Sequence, residues 1–96
     1  MSVLLVKIGS ATLTGISGRS CSVVASLTVS EIESFKVGRG IITFETIAEG
    51  MHYLGATNDL KFTNGARAKI IIEEMSNSSA EFVTDGPVYG ATGVPV

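Results

Sequence analysis

Ninety-six residues suffice for one small domain with a single core and proportionally much surface. Charged residues are only 17% of the chain, against roughly 25% in a typical soluble domain, and Ser, Thr and Gly take their place. The net charge of −2 argues against a dedicated nucleic-acid binder: of the seven Lys and Arg only Lys61, Arg67 and Lys69 lie close together, with acidic neighbours on the same hairpin, where a solvated strand face is favoured over a local basic face. The single cysteine, Cys21, excludes an intramolecular disulfide.

The first predicted strand is Val3 to Ile8, β-branched and aliphatic, broken by Gly9. Ser10 to Ser20 follows as a Ser/Thr/Gly-rich connection, with room for a short strand at Ala11 to Thr14. From Cys21 the pattern becomes strictly alternating. Cys21, Val23, Ala25, Leu27 and Val29 form an apolar face, and the residues between them are largely hydroxylated, as in a half-buried antiparallel strand. Cys21 is then an inward-facing small apolar residue. No helix terminus in the sequence marks it as a reactive thiol.

Ser30-Glu31-Ile32-Glu33 matches a capping box, which predicts one helical turn. Phe35-Lys36-Val37 is extended in character, and Gly38-Arg39-Gly40 reads as a turn leading into a strand at Ile41 to Phe44. Residues 44–54 admit two readings. Phe44, Ile47, Ala48, Met51 and Leu54 fall at helical spacing, but Gly50 in the middle costs about 1 kcal/mol relative to Ala. The favoured reading is strand to about Ile47, a turn at Glu49-Gly50, and strand again from Met51 to Leu54, leaving His52 half-exposed.

Leu60 to Met75 carries the strongest local signal, Asn64-Gly65 between two β-compatible runs. A two-residue loop would set Phe62 against Arg67 and mix apolar with charged groups. A three-residue loop, Thr63-Asn64-Gly65 with Gly65 left-handed, pairs Phe62 with Ala66, Leu60 with Ala68 and Asp59 with Lys69, although Lys61 then faces Arg67. Sorting of the faces selects the three-residue loop. Ile70-Ile71-Ile72 is apolar on both faces, as in a central strand. After a polar turn at residues 76–79, Ala80 to Thr84 is the last predicted strand, ended by Asp85-Gly86-Pro87.

The expected architecture is all-β: a small antiparallel β-sandwich or barrel built from hairpins, with at most one short helix. It divides into a β domain, residues 1–86, and an extended apolar C-terminal arm, residues 87–96. The arm contains no charge, and Val88, Tyr89, Val94, Pro95 and Val96 are its candidate interaction residues. Disordered tails are normally polar and charged, so an arm of this kind is suited to docking in a groove, on its own domain or a neighbour. A frayed end is the alternative.

Sequence chemistry is sparse. One His and one Cys do not make a zinc tetrad. Gly9 to Gly15 lacks the Lys and Ser/Thr of a phosphate loop, and no nucleophile elbow is present. No catalytic, cofactor-binding or metal-binding residue is therefore assigned, and the chain is read as non-enzymatic. The N-terminal apolar run ends at Lys7, too short for a signal peptide, and no run reaches the ~18 residues of a membrane span. The expectation is synthesis in the cytoplasm, with no membrane partner.

In size, in its low-charge Gly/Ser/Thr/Ala-rich make-up and in the Val88 to Val96 arm, the chain resembles the small decoration (cement) proteins of tailed-phage capsids. That resemblance implies a virion component that binds a preassembled shell, often as a homotrimer, and reinforces it against internal pressure. A charge deficit on so small a domain agrees with surface covered by its own copies or a larger assembly. A stable monomer covered in Ser and Thr is the plainer alternative. A different class of function also fits: a small ligand- or peptide-binding β-barrel, or an enzyme accessory subunit.

Overall fold

The computed structural model describes residues 2–96. Six strands and one helical turn follow in order: β1 (Ser2–Thr14), β2 (Ser20–Ile32), β3 (Phe35–Thr43), α1 (Ile47–Met51), β4 (Thr57–Phe62), β5 (Arg67–Ser76) and β6 (Ser79–Tyr89). They close into an antiparallel barrel in the order β1-β2-β3-β6-β5-β4. Closure is made where Ala11 to Thr14 of β1 pairs with Asp59 to Phe62 of β4. Of the two expected all-β architectures, the barrel is the one formed. The alternation seen in β2 explains why: each strand presents one apolar face, and a curled sheet buries all of them against one another. Leu13, Leu27, Ile42, Leu60, Ile70, Ile72 and Phe82 fill the interior, each at most 2% exposed.

The β4–β5 hairpin has the register that apolar sorting selects. Asp59 pairs with Lys69, Leu60 with Ala68, and Lys61 with Arg67. The Phe62 N–H donates to the Ala66 carbonyl at 2.8 Å, and the Gly65 N–H to the Phe62 carbonyl at 2.9 Å. Gly65 has φ +100°, and the Asn64 side-chain oxygen accepts from the Ala66 N–H at 3.0 Å. Ile70 and Ile72 point into the barrel, while Ile71 is half-buried on the outside.

Several expected boundaries are corrected. Gly9 does not interrupt β1, which runs through it to Thr14. The Ser30 capping box starts no helix: Ser30, Glu31 and Ile32 stay in β2, paired with Val37, Lys36 and Phe35. The turn falls at Glu33-Ser34, both with positive φ (49° and 74°), as a two-residue hairpin requires. A single helical turn cannot outweigh nine consecutive strand pairs. Gly38-Arg39-Gly40 is accordingly not a turn but the middle of β3. A Cβ on Gly40 would lie 2.5 Å from Phe82 Cζ, and one on Gly38 would collide with the Thr84 side chain. These glycines mark close approach of β6 side chains to the β3 backbone.

Residues 44–54 take the helical reading in their middle, not the two-strand one. Thr46 caps α1, its hydroxyl accepting from the Glu49 N–H at 3.1 Å. Gly50 is buried, with Phe44 and Met75 occupying the space a side chain would need. Phe44 and Tyr53 stack with ring centroids 5.8 Å apart. His52 is an exposed C-cap residue, not a half-exposed strand residue. Lastly, Asp85-Gly86-Pro87 does not end β6. Ile70 pairs with Thr84 and Ala68 with Val88, so residues 85–87 bulge outward opposite Lys69 and the strand resumes.

Candidate functional site

Three surface features carry potential chemistry, and the first follows from unequal strand lengths. β1 pairs with β2 from Ser2 to Thr14, but β4 holds β1 only from Ala11 onward. Likewise β6 pairs only with Arg39 to Thr43 of β3. The early part of β1, the late part of β2 and the start of β3 therefore project past the barrel as a three-stranded sheet. The molecule measures 37 × 24 × 21 Å.

The register sorts the outer face of this sheet into cross-strand rows: Val3–Ser30–Val37, Val6–Thr28–Arg39 and Ile8–Ser26–Ile41, with Ile32 facing Phe35 at the tip. Ile8 is 76% exposed and Phe35 is 73% exposed. Arg39 is the only charge in these rows. The apolar side chains are contiguous across three strands, not scattered singly, and such patches mark contact sites.

The sequence-predicted interaction residues lie at the other side of this sheet. Val88 is buried in β6, and beyond Tyr89 the chain reverses through Gly90 to Gly93. Pro95 bridges back to Tyr89, and the Val96 N–H donates to the Val88 carbonyl at 2.8 Å. Lys36 Nζ donates to the Val96 carbonyl at 2.7 Å. Val96 packs against the core, whereas Val94 and Pro95 are exposed. Residues 88–96 thus fold along their own domain. Asn64 and Gly65 sit in the β4–β5 turn, with the Ala91 carbonyl 3.2 Å from where a Gly65 Cβ would be.

The second feature is a groove of about 600 Å³ over the outside of β4 and β5. Thr12 and Thr14 of β1 form one wall, and the β6 bulge with Asp85, Pro87 and Tyr89 forms the other. One row of side chains crosses its floor: Thr12, Lys61, Arg67, Tyr89. The Arg67 guanidinium lies 4.7 Å from the centre of the Tyr89 ring, a cation–π contact that orients it. The next row is Thr14, Asp59, Lys69. Beyond it the Thr57 hydroxyl donates to Asp85 Oδ2 at 3.3 Å. Lys61 facing Arg67 is legible from the hairpin register. Tyr89 and the bulge are not, because they come from a strand that the sequence pattern ends too early.

The third feature surrounds Cys21, at the start of β2. Burial pushes its thiol above the ordinary 9.0, with Glu49 and Glu45 adding to the rise. Burial also pushes the Tyr53 phenol well above its ordinary value, with Cys21 contributing. Tyr53 is 1% exposed and its hydroxyl has no hydrogen-bond partner. A thiol held protonated is a poor nucleophile. Among the described residues, no three His, Cys, Asp or Glu side chains gather as a metal site, and no helix is long and apolar enough to cross a membrane. Comparison with protein-family profiles, curated proteins and solved structures finds no match for this chain.

Proposed function

We propose that this protein is a non-enzymatic structural component that self-associates and attaches to a larger protein assembly, in the manner of a capsid decoration protein in a virion. The observation that carries this reading is the apolar outer face of the β1–β2–β3 sheet, in which Arg39 is the one charge and Glu81 of β6 lies beside Ile41 at its border. Val3, Val6, Ile8, Val24, Ile32, Phe35, Val37 and Ile41 are each at least 36% exposed. Together they present on the order of 700 Å² of apolar surface, close to the ~800 Å² that each partner contributes to a stable interface. Their neighbours on the face are mostly Ser and Thr, which lose little on desolvation when paired across an interface. The occupant that fits is a second copy or a shell protein offering a similar apolar sheet.

Sedimentation velocity tests the self-association. The native chain is expected as an oligomer at ~10 μM. Ile8→Lys and Phe35→Lys, at exposed positions that leave the core untouched, are expected to give folded monomers with an unchanged far-UV circular dichroism spectrum. A native chain that stays monomeric at that concentration overturns the reading.

A second reading, a small ligand- or peptide-binding barrel or an enzyme accessory subunit, is favoured by the groove over β4 and β5. The barrel interior is filled by side chains, so any pocket of that kind lies on the outside.

A further inference from the structure

The geometry points to the groove over β4 and β5 as a binding site for a carboxylate, seated between Lys61 and Arg67. Lys61 has Thr12 and Arg67 as its cross-strand neighbours, and Arg67 has Lys61 and Tyr89. No carboxylate faces either cation across the ladder. Like charges directly opposite one another oppose strand pairing, and an anion bound between them converts that repulsion into attraction.

The arrangement also selects the anion. The Arg67 guanidinium carbon sits over the Tyr89 ring, 4.7 Å from its centre, and a guanidinium offers N–H donors in the fork that the two oxygens of a planar carboxylate match. Thr12 brings a hydroxyl to the end of the same row, and Pro87 and Tyr89 give the wall an apolar surface for the rest of the ligand. Lys69 is balanced by Asp59 opposite it, and Asp85 stands at the far end of the groove. The site thus offers an excess of positive charge at one row only. Over the whole groove Lys61, Arg67 and Lys69 exceed Asp59 and Asp85 by one charge, which a monoanion matches. The volume, about 600 Å³, lies within the range of small-ligand sites. A free organic acid and the glutamate side chain of an extended peptide share this chemistry.

The test is ¹H–¹⁵N NMR titration of the full chain with five probes: N-acetylphenylalanine, its amide, inorganic phosphate, a blocked Ala-Glu-Ala peptide and its Gln analogue. A carboxylate probe is expected to shift the amides of Lys61, Arg67 and Tyr89 saturably below ~10 mM, while the neutral probes do not. The tighter of the two carboxylates identifies the source. Arg67→Gln is expected to weaken binding ~10-fold or more, and Arg39→Gln, on the opposite side of the barrel, to leave it unchanged. Both are surface changes, and the unliganded spectrum reports that each variant is folded. Four results overturn the proposal: no shifts at ~10 mM, equal binding of the neutral probes, phosphate binding more tightly than either carboxylate, or loss of binding in Arg39→Gln.

Discussion

Gly40→Ala tests the central packing relation of the barrel. Gly40 sits in mid-β3, opposite Leu27 of β2 and Phe82 of β6. A Cβ there would collide with the Ser26 carbonyl oxygen and lie 2.5 Å from Phe82 Cζ. The Phe82 ring is 1% exposed and has nowhere to swing, and the carbonyl belongs to the backbone of the neighbouring strand. The methyl group can be admitted only by moving β2 away from β3, which lengthens ladder hydrogen bonds. Overpacking of this kind costs ~1–3 kcal/mol, and a backbone obstacle places it at the upper end. Replacing Gly by Ala in a strand returns ~0.5–1 kcal/mol, leaving a net loss of about 2 kcal/mol. For a domain of this size that lowers Tm by about 8–16 °C. The assay is thermal unfolding by circular dichroism, with Gly90→Ala as control, since a Cβ there meets only the Val94 carbonyl at 3.8 Å. Adding Phe82→Leu is not expected to restore stability, because the Ser26 carbonyl remains in place. A Gly40→Ala protein that melts within ~2 °C of the native chain would refute the claim that Phe82 and Ser26 require a glycine there.

Three further outcomes are expected. Gly65→Val forces a β-branched residue into φ +100° and should cost ~1 kcal/mol or more, so an unchanged Tm would contradict the bulged loop. Asn58 is 2% exposed and donates to the Tyr53 and Ala56 carbonyls at 2.9 and 3.0 Å; Asn58→Leu should cost ~2 kcal/mol by urea unfolding, and a neutral result would show those carbonyls satisfied otherwise. Cys21 and Tyr53 hold their protons in the native state above the ordinary values of 9.0 and 10.0, so their contribution is intact below about pH 9 and is lost as pH rises beyond it. Tyr53→Phe removes an unpartnered hydroxyl, so it should be near neutral at pH 7 and should flatten the alkaline fall in Tm; equal alkaline sensitivity in the variant would contradict this.

What could be read in the sequence was what is decided locally. Asn64-Gly65 sets a turn by its own backbone preferences, and the apolar sorting around it selects the register down to Asp59 opposite Lys69. The alternation from Cys21 to Val29 needs no partner to be recognised. The misreadings share one cause. Gly38, Gly40 and Gly86 look like punctuation, but their role is set by residues remote in the chain. Phe82 and Thr84 crowd the first two, and the β5 register turns Asp85-Gly86-Pro87 into a bulge. At Glu33-Ser34 the turn carries no signature residue and is imposed by the strands on either side. Helix α1 was visible as a spacing, yet choosing it required knowing that Phe44 and Tyr53 stack. The charge deficit is a property of composition and carries no position, so the exposed apolar rows could not be located from it. Val3 to Ile8 is apolar on both sides of β1, and only the register with β2 shows that Val6 and Ile8 point outward while Leu5 packs inward.

The projecting sheet offers another molecule its outer face or an open strand edge, of which the edge of β1 is the longer. They have opposite consequences. An open edge propagates, since each added strand exposes a new one, whereas two faces laid together with two-fold symmetry close on themselves. The edge is built to discourage pairing. A register shift between Val3 and Leu5 breaks its repeat, and Gly9 at φ +148° distorts it again before Ser10, whose carbonyl already accepts from Thr63. The face carries no such device. Its rows are regular, apolar groups alternate with hydroxyls small enough to sit under an opposing sheet, and Arg39 is the one charge among them. Under the proposed self-association, closed pairing through the face is therefore the arrangement these residues would favour. Ile8 and Phe35, both near its most exposed part, are the positions where a single charge should dissolve it.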